Sequence, residues 1–459
     1  MRKIFKDYSF IGVVLVFSVL FLGILFRVLN ISGVSAWGDE VASLYYAQHL
    51  DRIFLHESHS PLYYYIGSIW ISIFPKSIVS LRYLSIFLSF LMTSLCAGLL
   101  WKRRSVAIAF VFLILWWLWP TDISYARQAR HYSLYAELTF LLLILWDQRS
   151  HFSRRLLLIF CSFFQLVHPF GLIPVWYLAF YDFFKKQSGK RQLFISLGTS
   201  IPVGVYYGMR FFLYGREKVF SNISWISFDT FAFQRSLGLL FAGDSFPLTT
   251  VFPLPLFWSY FMLLLVVCLF MVRKGFIPFI QKNESLLKFV QLTLLSIIFV
   301  ELFSYFFSNI RIARYFLYLI PFFLYSLLDW VQEGDIAGNL RRGVLLAGIL
   351  IAYNLFVLQP WRSYSWDDQN VANFKSYLQL LPPRALVVCA NTFQQDYYFG
   401  LPSQNCTDEA LKLHLNKKNF YLFDLTGNDK LLTIFLVNSG HIDRYQKFNQ
   451  ALFLSVSYP

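Results

Sequence analysis

Charged residues are scarce in this chain. They make up 14% of its 459 residues, whereas a soluble domain carries roughly 25%. Hydrophobic residues account for 57%, and the mean hydropathy is +0.53. Many apolar runs approach the ~20 residues that a membrane-spanning helix needs. The composition therefore excludes an ordinary soluble domain and predicts a polytopic α-helical membrane protein.

Acidic residues are scarcer than basic ones, with 25 Asp and Glu against 40 Lys and Arg and a net charge of +15. Much of the basic charge lies in short loops between apolar runs, where it sets orientation and meets anionic lipid headgroups. We therefore expect no nucleic acid partner. Arg2, Lys3 and Lys6 precede the first apolar run, which predicts a cytoplasmic N-terminus.

Cysteine is also rare, and the five cysteines show no metal-binding spacing. Cys96, Cys161 and Cys268 fall in apolar runs and are interpreted as packing residues. Cys389 and Cys406 share the C-terminal segment, where a disulfide would form only if that segment faces an oxidising compartment. The sequence leaves this pairing open.

The alternation of apolar runs and basic loops predicts about eleven spans. They cover residues 10–29, 79–101, 105–119, 132–146, 156–167, 170–184, 193–214, 251–272, 289–307, 312–330 and 343–358. Residues 61–74 are interpreted as interfacial or re-entrant, and residues 215–250 as a larger outer loop. Residues 1–358 would thus form the membrane domain.

The last hundred residues, 359–459, change character and are predicted to be a small α/β domain on the outer face. Residues 371–381 form an amphipathic pattern that predicts a helix. Residues 385–390 and 420–425 are rich in the residue types that favour strands.

Two adjacent acids, Asp39 and Glu40, follow the first predicted span in the stretch Trp37-Gly38-Asp39-Glu40. Carboxylates beside hydrocarbon are costly, so they are usually functional or paired. The alternative is that they satisfy amides and the dipole at a helix N-terminus. The pair alone does not decide between these interpretations.

Unusual polar residues collect at the predicted outer ends of the spans. They are Asp39, Glu40, Glu57, His59, Asp122, Arg127, Arg130, His131, His168, Asn309, Arg311 and Arg314. Outer arginines break the positive-inside trend. Phosphate binding would explain them, because guanidinium binds phosphate bidentately and keeps its charge; the alternative is salt bridging to Asp39, Glu57 or Asp122. For Arg127 we favour the structural role.

Several motifs together resemble GT-C glycosyltransferases, in the bacterial branch related to protein O-mannosyltransferases and the lipid A aminoarabinose transferase. Trp37-Gly38-Asp39-Glu40 resembles that branch's first-loop Asp-Glu motif, and His59-Ser60-Pro61-Leu62-Tyr63-Tyr64 its His-Pro-Pro-Leu-Tyr-Tyr segment. Leu81-Arg82 resembles the Leu-Arg that opens its next span. Tyr125-Ala126-Arg127-Gln128-Ala129-Arg130-His131-Tyr132 resembles its Ser-x-Glu-Ala-Arg-Pro-Tyr stretch, and Arg311-Ile312-Ala313-Arg314-Tyr315 its late Arg-Tyr segment.

The sequence departs from this pattern at three positions. Ser60 replaces a proline, Gln128 stands where an acid is usual, and His131 stands where proline is usual. The departure at Gln128 leaves the acidic partner of Arg130 unidentified. The resemblance covers roughly residues 10–330, and its specificity comes from the order and spacing of the motifs rather than from any one of them.

The resemblance implies a GT-C fold and a dolichyl-phosphate-mannose-protein mannosyltransferase-like reaction. A sugar would pass with inversion from a polyprenyl-phosphate-linked donor to a hydroxyl of a lipid, glycan or protein acceptor. Asp39 would be the base, assisted by Glu40, and Arg130, Arg311 and Arg314 would bind the donor phosphate. The supporting residues would be Glu57, His59, Asp122, His131, His168 and Tyr315.

The implied location is the inner (plasma) membrane of a bacterium, with the active site and C-terminal domain outside. No cofactor is required by this chemistry, although scattered histidines and acids leave a divalent metal ion open. Two rival functions stay open. A lipid or oligosaccharide transporter would place charges at mid-span in a repeated architecture, and a non-catalytic scaffold in glycan assembly would retain the fold alone.

Overall fold

The computed structural model describes residues 10–33, 36, 38–56, 61–149, 154–220, 283–306, 313–332, 348–352, 387–389, 420–424, 442–448 and 451–456. The chain divides into two compact units. The first contains Met1–Ile31 and Tyr46–Trp361, and the second contains Ser32–Tyr45 and Arg362–Pro459.

Helices dominate the first unit. In chain order the helices are α1 (Phe10–Val28), α2 (Gly38–Gln48), α3 (Leu50–His56), α4 (Leu62–Ile73), α5 (Ile78–Arg103), α6 (Val106–Trp117), α7 (Pro120–Ala126), α8 (Tyr132–Asp147), α9 (Arg154–Val167), α10 (Leu172–Phe184), α11 (Lys190–Gly198), α12 (Ile201–Phe220), α13 (Glu284–Phe306) and α14 (Leu319–Gln332). Short 3-10 turns occur at Pro169–Gly171 and Ala313–Phe316. Helix α2 begins in the second unit and ends in the first.

Serine caps set the starts of α5 and α6. Ser77 Oγ accepts a hydrogen bond from the Ser80 amide at 3.1 Å, and Ser105 Oγ accepts one from the Ile108 amide at 3.1 Å. Each cap satisfies an amide that the first helical turn leaves without a helical partner. Only Arg104 and Ser105 separate the two helices, so they pack as antiparallel neighbours.

The predicted spans correspond in large part to observed helices. Among the described residues, Ile78–Arg103 and Glu284–Tyr305 are long and apolar enough to cross a membrane. The pair Val106–Trp117 and Pro120–Ala126, bent by 62°, would make a third crossing as one broken span. The predicted span 251–272 and most of 343–358 lie outside the described residues. The number of eleven spans therefore stays a prediction.

The prediction of one span over residues 193–214 was wrong. Two helices, α11 and α12, meet there at Thr199 and Ser200. Gly198 ends α11, and Thr199 Oγ1 donates to the Ser196 carbonyl at 2.7 Å. Pro202 lies in the first turn of α12, where its missing amide hydrogen costs nothing.

Two predicted boundaries also differ from the observed ones. Helix α12 continues to Phe220, so the predicted loop 215–250 begins with helix. The predicted span 312–330 begins instead with the 3-10 turn at Ala313–Phe316, and α14 starts only at Leu319.

Helices α5, α6, α8, α9, α10 and α14 share one apolar core. Aromatic rings supply much of its volume. Phe112 of α6 and Phe140 of α8 lie with ring centroids 4.5 Å apart, and Phe140 lies 5.8 Å from Tyr325 of α14. Cys96 and Cys161 are buried in this core as free thiols, as their apolar surroundings in the sequence predicted.

The second unit contains a four-stranded mixed sheet. Its strands are β1 (Val387–Cys389), β2 (Phe420–Asp424), β3 (Ile442–Phe448) and β4 (Ala451–Val456), in the order β1-β2-β4-β3. β1 and β2 are parallel, whereas β4 pairs antiparallel with β2 and β3. The two predicted strands are confirmed, and β3 and β4 were not predicted. The predicted helix over residues 371–381 lies outside the described residues.

Candidate functional site

Six residues from three breaks between helices meet in the first unit, and we call them the Tyr132 cluster. Arg130 and His131 precede α8, Tyr132 begins it, His168 precedes the turn Pro169–Gly171, and Arg314 and Tyr315 lie in the turn Ala313–Phe316. Five of these six residues, all except Tyr132, are site residues that the sequence predicted. Breaks between helices can present backbone and side-chain polar groups together.

The two arginines of the cluster lie on the same aromatic ring. The guanidinium carbon of Arg130 is 5.5 Å from the centroid of the Tyr132 ring, and that of Arg314 is 5.4 Å from it. Arg130 also donates from Nη1 to the Tyr64 hydroxyl at 3.3 Å. Arg130 and Tyr132 are almost completely buried. The cluster thus brings two permanent positive charges to one buried surface.

The two histidines lie side by side within the cluster. The rings of His131 and His168 have centroids 5.2 Å apart, and His168 stacks on Tyr135 at 4.6 Å. His168 Nδ1 accepts a hydrogen bond from the Phe170 amide at 3.2 Å. Nδ1 therefore carries a lone pair, and the proton of the neutral ring lies on Nε2.

This tautomer affects whether His168 could bind the divalent metal ion that the sequence left open. With Nδ1 occupied by the Phe170 amide, His168 would need to move its proton off Nε2 before it could bind a metal ion. Within the described part of the chain, no group of three or more His, Cys, Asp or Glu side chains is arranged to hold an ion.

Hydrogen bonds hold the backbone just before α8. Ser85 Oγ of α5 donates to the Arg130 carbonyl at 3.3 Å, and the Tyr63 hydroxyl of α4 lies 2.8 Å from Ser85 Oγ. Tyr135 donates to the Tyr315 carbonyl at 3.5 Å. Contacts from α4, α5 and α8 therefore fix the segments that carry the two arginines.

Beside the cluster, α1 is fastened to the break between α6 and α7 by what we call the Arg27 clamp: Arg27, Trp117, Asp122 and Arg127. Arg27 Nη2 donates to Asp122 Oδ2 at 2.5 Å, and its Nη1 donates to the Trp117 carbonyl at 2.8 Å. Its guanidinium carbon also lies 3.9 Å from the Trp117 ring centroid. Asp122, predicted as a supporting residue, is thus the anionic partner of a buried arginine.

Arg127, which follows α7, also belongs to the clamp because it contacts the end of α1. Its Nη1 donates to the carbonyls of Phe26, Arg27 and Leu29 at 2.8, 3.1 and 2.8 Å. These carbonyls lie at the C-terminal end of α1, where helical partners are lacking. These bonds agree with a structural role for Arg127, although their partners are backbone carbonyls, whereas the sequence suggested acidic side chains.

Arg27, Tyr132 and Glu137 were missed as site residues. Glu137 of α8 is 1% exposed and lies within electrostatic reach of Asp122 and Arg27. Arg27 and Glu137 both fall inside predicted spans, and an ionisable residue inside a span is itself a signal of function or pairing. Tyr132 ends the motif Tyr125–Tyr132 quoted above but was not singled out within it, because aromatic residues make up 20% of the chain.

The acidic pair Asp39 and Glu40 lies in the first turn of α2, within the second unit. Asp39 is half-buried and Glu40 is 1% exposed. Ser43 Oγ donates to the Asp39 carbonyl at 3.0 Å. This position favours negative charge because of the helix dipole. The predicted site residues Glu57, His59 and Arg311 lie outside the described residues.

Comparisons with known proteins give a likeness in fold. No family model matches the chain, and no curated protein sequence matches it significantly. Solved structures do match, among them ArnT from Cupriavidus metallidurans in the apo state and the same protein bound to undecaprenyl phosphate. In each case the TM-score is 0.53 and the identity 13%, over 97% of this chain and 98% of that chain.

The chain is similar in fold to ArnT. This likeness and the apolar helices confirm the prediction of a multi-pass helical membrane protein with an ArnT-like architecture. An identity of 13% describes the fold alone, so substrate and chemistry have to be argued from the residues of this chain.

Proposed function

We propose that this protein is a membrane glycosyltransferase that moves a sugar from a polyprenyl-phosphate-linked donor to an acceptor hydroxyl. The observation that carries the proposal is the Tyr132 cluster, in which Arg130 and Arg314 share one ring. The fold supports it, because the chain is similar in fold to ArnT, which has been solved with undecaprenyl phosphate bound.

The two arginines suit the departure of a phosphate. A phosphate needs no proton in order to leave, but negative charge develops on it as the bond to the anomeric carbon breaks. Guanidinium groups fixed beforehand in a buried site stabilise that charge, because little reorganisation is needed at the moment of reaction. Arg130 and Arg314 would fill this role together, with Arg311 as a third candidate.

Asp39 is the proposed base. Its carboxylate would take the proton of the acceptor hydroxyl while the hydroxyl oxygen attacks the anomeric carbon. The new glycosidic bond forms as the bond to the phosphate oxygen breaks, and polyprenyl phosphate leaves with the bonding electron pair. Attack from the face opposite the phosphate inverts the configuration. Glu40, Glu57, His59, His131, His168 and Tyr315 would orient the substrates.

A divalent metal ion is the alternative source of positive charge. An ion held by acids or histidines could oppose the phosphate charge in the way we propose for the arginines. Transfer measured after chelation with EDTA separates the two cases. Undiminished transfer in EDTA would indicate that the arginines stabilise the charge on the leaving phosphate. Loss of transfer that added Mg²⁺ or Mn²⁺ restores would indicate that a metal ion stabilises it.

The experiment that tests the function is lipid mass spectrometry. Membranes that contain wild type or Asp39→Asn would be supplied with a panel of polyprenyl-phosphate sugars. Asp51→Asn is the matched control, because Asp51 is an exposed acid on α3. We expect wild type and Asp51→Asn to consume one donor that Asp39→Asn leaves intact. If no protein consumes any donor, transport or scaffolding becomes the better explanation.

The proposed location is the inner membrane of a bacterium, with the Tyr132 cluster and residues 359–459 on the extracytoplasmic side. A single cysteine introduced at Ser403, in a chain whose native cysteines are replaced, would test this. We expect a membrane-impermeant maleimide to label it in intact spheroplasts. Labelling only after the membrane is opened would reverse the proposed topology.

A further inference from the structure

Two buried carboxyl groups meet between α7 and α8. Asp122 of α7 is 4% exposed and Glu137 of α8 is 1% exposed, and their side chains lie within hydrogen-bonding reach of each other. Ser89 of α5, which is completely buried, lies within hydrogen-bonding reach of both. Arg27 of α1 donates to Asp122 Oδ2 at 2.5 Å. Side chains from four helices therefore converge around this pair of acids.

The charges of this group do not balance if both acids are ionised. The positive charge that faces them is the guanidinium of Arg27, so two carboxylates would leave one negative charge in excess. Cys96 of α5 also faces Glu137, and ionisation of its thiol would only add negative charge. A buried charge without a counter-charge is so costly that the group becomes neutral instead.

The hydrogen bonds do not balance either. Asp122 Oδ1 and both carboxyl oxygens of Glu137 are buried, and they accept no hydrogen bond of normal geometry from the described residues. The Ser89 hydroxyl carries a single proton, so it could donate to only one of these three oxygens. Two ionised carboxylates are acceptors only and cannot bond to each other. A protonated carboxyl group, in contrast, donates to a carboxylate and removes the deficit.

We propose that Asp122 and Glu137 share one proton, and that this proton joins α7 to α8. Glu137 is assigned as the donor, because Asp122 already forms the ion pair with Arg27. The group then contains one cation, one anion and one neutral acid, so its net charge is zero. The proposal goes beyond the proposed function and would hold whether or not the protein transfers a sugar. Its tests therefore do not use activity.

The shared proton would set these two acids apart from the proposed base. Asp122 would accept hydrogen bonds from Arg27 and Glu137, and Glu137 would already hold its proton, so neither is free to take a proton from a substrate hydroxyl. Glu137 lies five residues after Tyr132 on α8, about 7.5 Å away by helical rise. The pair would thus anchor the helix that carries Tyr132 without taking part in the chemistry.

Infrared difference spectroscopy of the full-length protein tests the proton directly. Glu137→Gln should remove the carbonyl band of a protonated carboxylic acid, a band that shifts in D₂O, and leave the carboxylate bands nearly unchanged. Asp122→Asn should remove the same kind of band, because Glu137 would then ionise beside Arg27. Glu284→Gln is the matched control. Glu284 is exposed and pairs with Lys288 at 2.9 Å, so this variant should lose carboxylate bands.

The two variants of the pair have the same contrary outcome. If either of them loses carboxylate bands, as the control does, the two acids do not share a proton and the proposal is wrong. Because the variants alter different helices, one of them suffices if the other does not fold.

Thermal unfolding in detergent tests whether the proton joins the helices. Glu137→Leu removes the donor and leaves a buried oxygen of Asp122 without it, so the unfolding temperature should fall by about 2–4 °C. Glu137→Gln keeps a donor in its amide and should recover most of that loss. Glu284→Leu, which removes an exposed acid, should change the temperature less. If Glu137→Leu unfolds at the wild-type temperature, the shared proton does not hold α7 to α8 and the proposal fails.

Discussion

Arg27 and Arg130 are both almost completely buried in the same unit, yet their surroundings differ. Arg27 lies against a carboxylate, two backbone carbonyls and the Trp117 ring. Arg130 lies over the Tyr132 ring, which it shares with Arg314. A buried ion pair of this kind fastens the helices that carry it. We propose that Arg130 and Arg314, which meet on one ring, bind an anionic substrate instead.

A third arginine, Arg104, resembles Arg27 in having acidic partners. It forms ion pairs with Asp329 and with Asp147, the latter at 3.4 Å, and it donates to the Tyr325 hydroxyl at 2.5 Å. Arg104 follows the last turn of α5, and Ser85 lies near the first turn of the same helix. By helical rise, these two residues are about 28 Å apart. Arginines with acidic partners therefore occur near both ends of α5, and Arg130 lies at the end that carries Ser85.

The largest expected effect comes from breaking the pair Arg27–Asp122. Arg27→Leu leaves a carboxylate buried without its cation, which should cost about 3–5 kcal/mol of unfolding free energy. The double variant Arg27→Leu with Asp122→Leu removes both charges and should recover much of that loss. Thermal unfolding in detergent measures both. A single variant with wild-type stability would show that the pair does not stabilise the clamp.

Arg130 should respond in activity rather than stability, because we propose that it binds the donor phosphate. Arg130→Lys keeps the charge and loses the planar donor array, so transfer should fall about 10²- to 10³-fold, while the unfolding temperature changes little. Arg103→Lys, at an exposed position on α5, is the matched control and should transfer normally. If Arg130→Lys lowers the unfolding temperature as much as Arg27→Leu does, the two arginines do not differ in their contribution to stability, and the comparison is wrong.

The sequence singled out individual candidate residues but not how they meet. Arg130, His131, His168 and Arg314 were chosen because polar groups at the ends of apolar runs are unusual, and Tyr315 was chosen from a motif. Their convergence on Tyr132 depends on how three helix breaks pack together. Residues 131, 168 and 314 are far apart in the chain, and nothing local encodes their spacing.

Local signals were sometimes present but misread. Gly198 and Pro202 interrupt the apolar run that was predicted to be one span. Glycine is typical of turns, and proline is typical of the first turn of a helix. In β3 the apolar residues Ile442, Tyr445 and Phe448 recur every three positions, which imitates a helical period. Pairing with β4 along an irregular register, shifted between Ile442 and Arg444, overrides that local pattern.

A steric change tests the clamp without altering any charge. A Cβ added at Gly23 would lie 2.0 Å from Trp117 Cδ1, so Gly23→Ala has to displace the ring that lies against Arg27. Overpacking of this kind costs about 1–3 kcal/mol. Gly98→Ala in α5 is the matched control, because a Cβ there meets nothing within 4 Å. Equal unfolding temperatures for the two variants would mean that Trp117 moves away without cost.

The smallest expected effect comes from Arg104→Ala. Its partners Asp147 and Asp329 have side chains that are 53% and 27% exposed, so water and salt already weaken these pairs, and about 1–2 kcal/mol of stability should be lost. Transfer per folded molecule should match wild type, and added salt should narrow the difference in unfolding temperature. A loss of transfer as large as that expected for Arg130→Lys, with the protein still folded, would mean that Arg104 contributes to catalysis and not to stability alone.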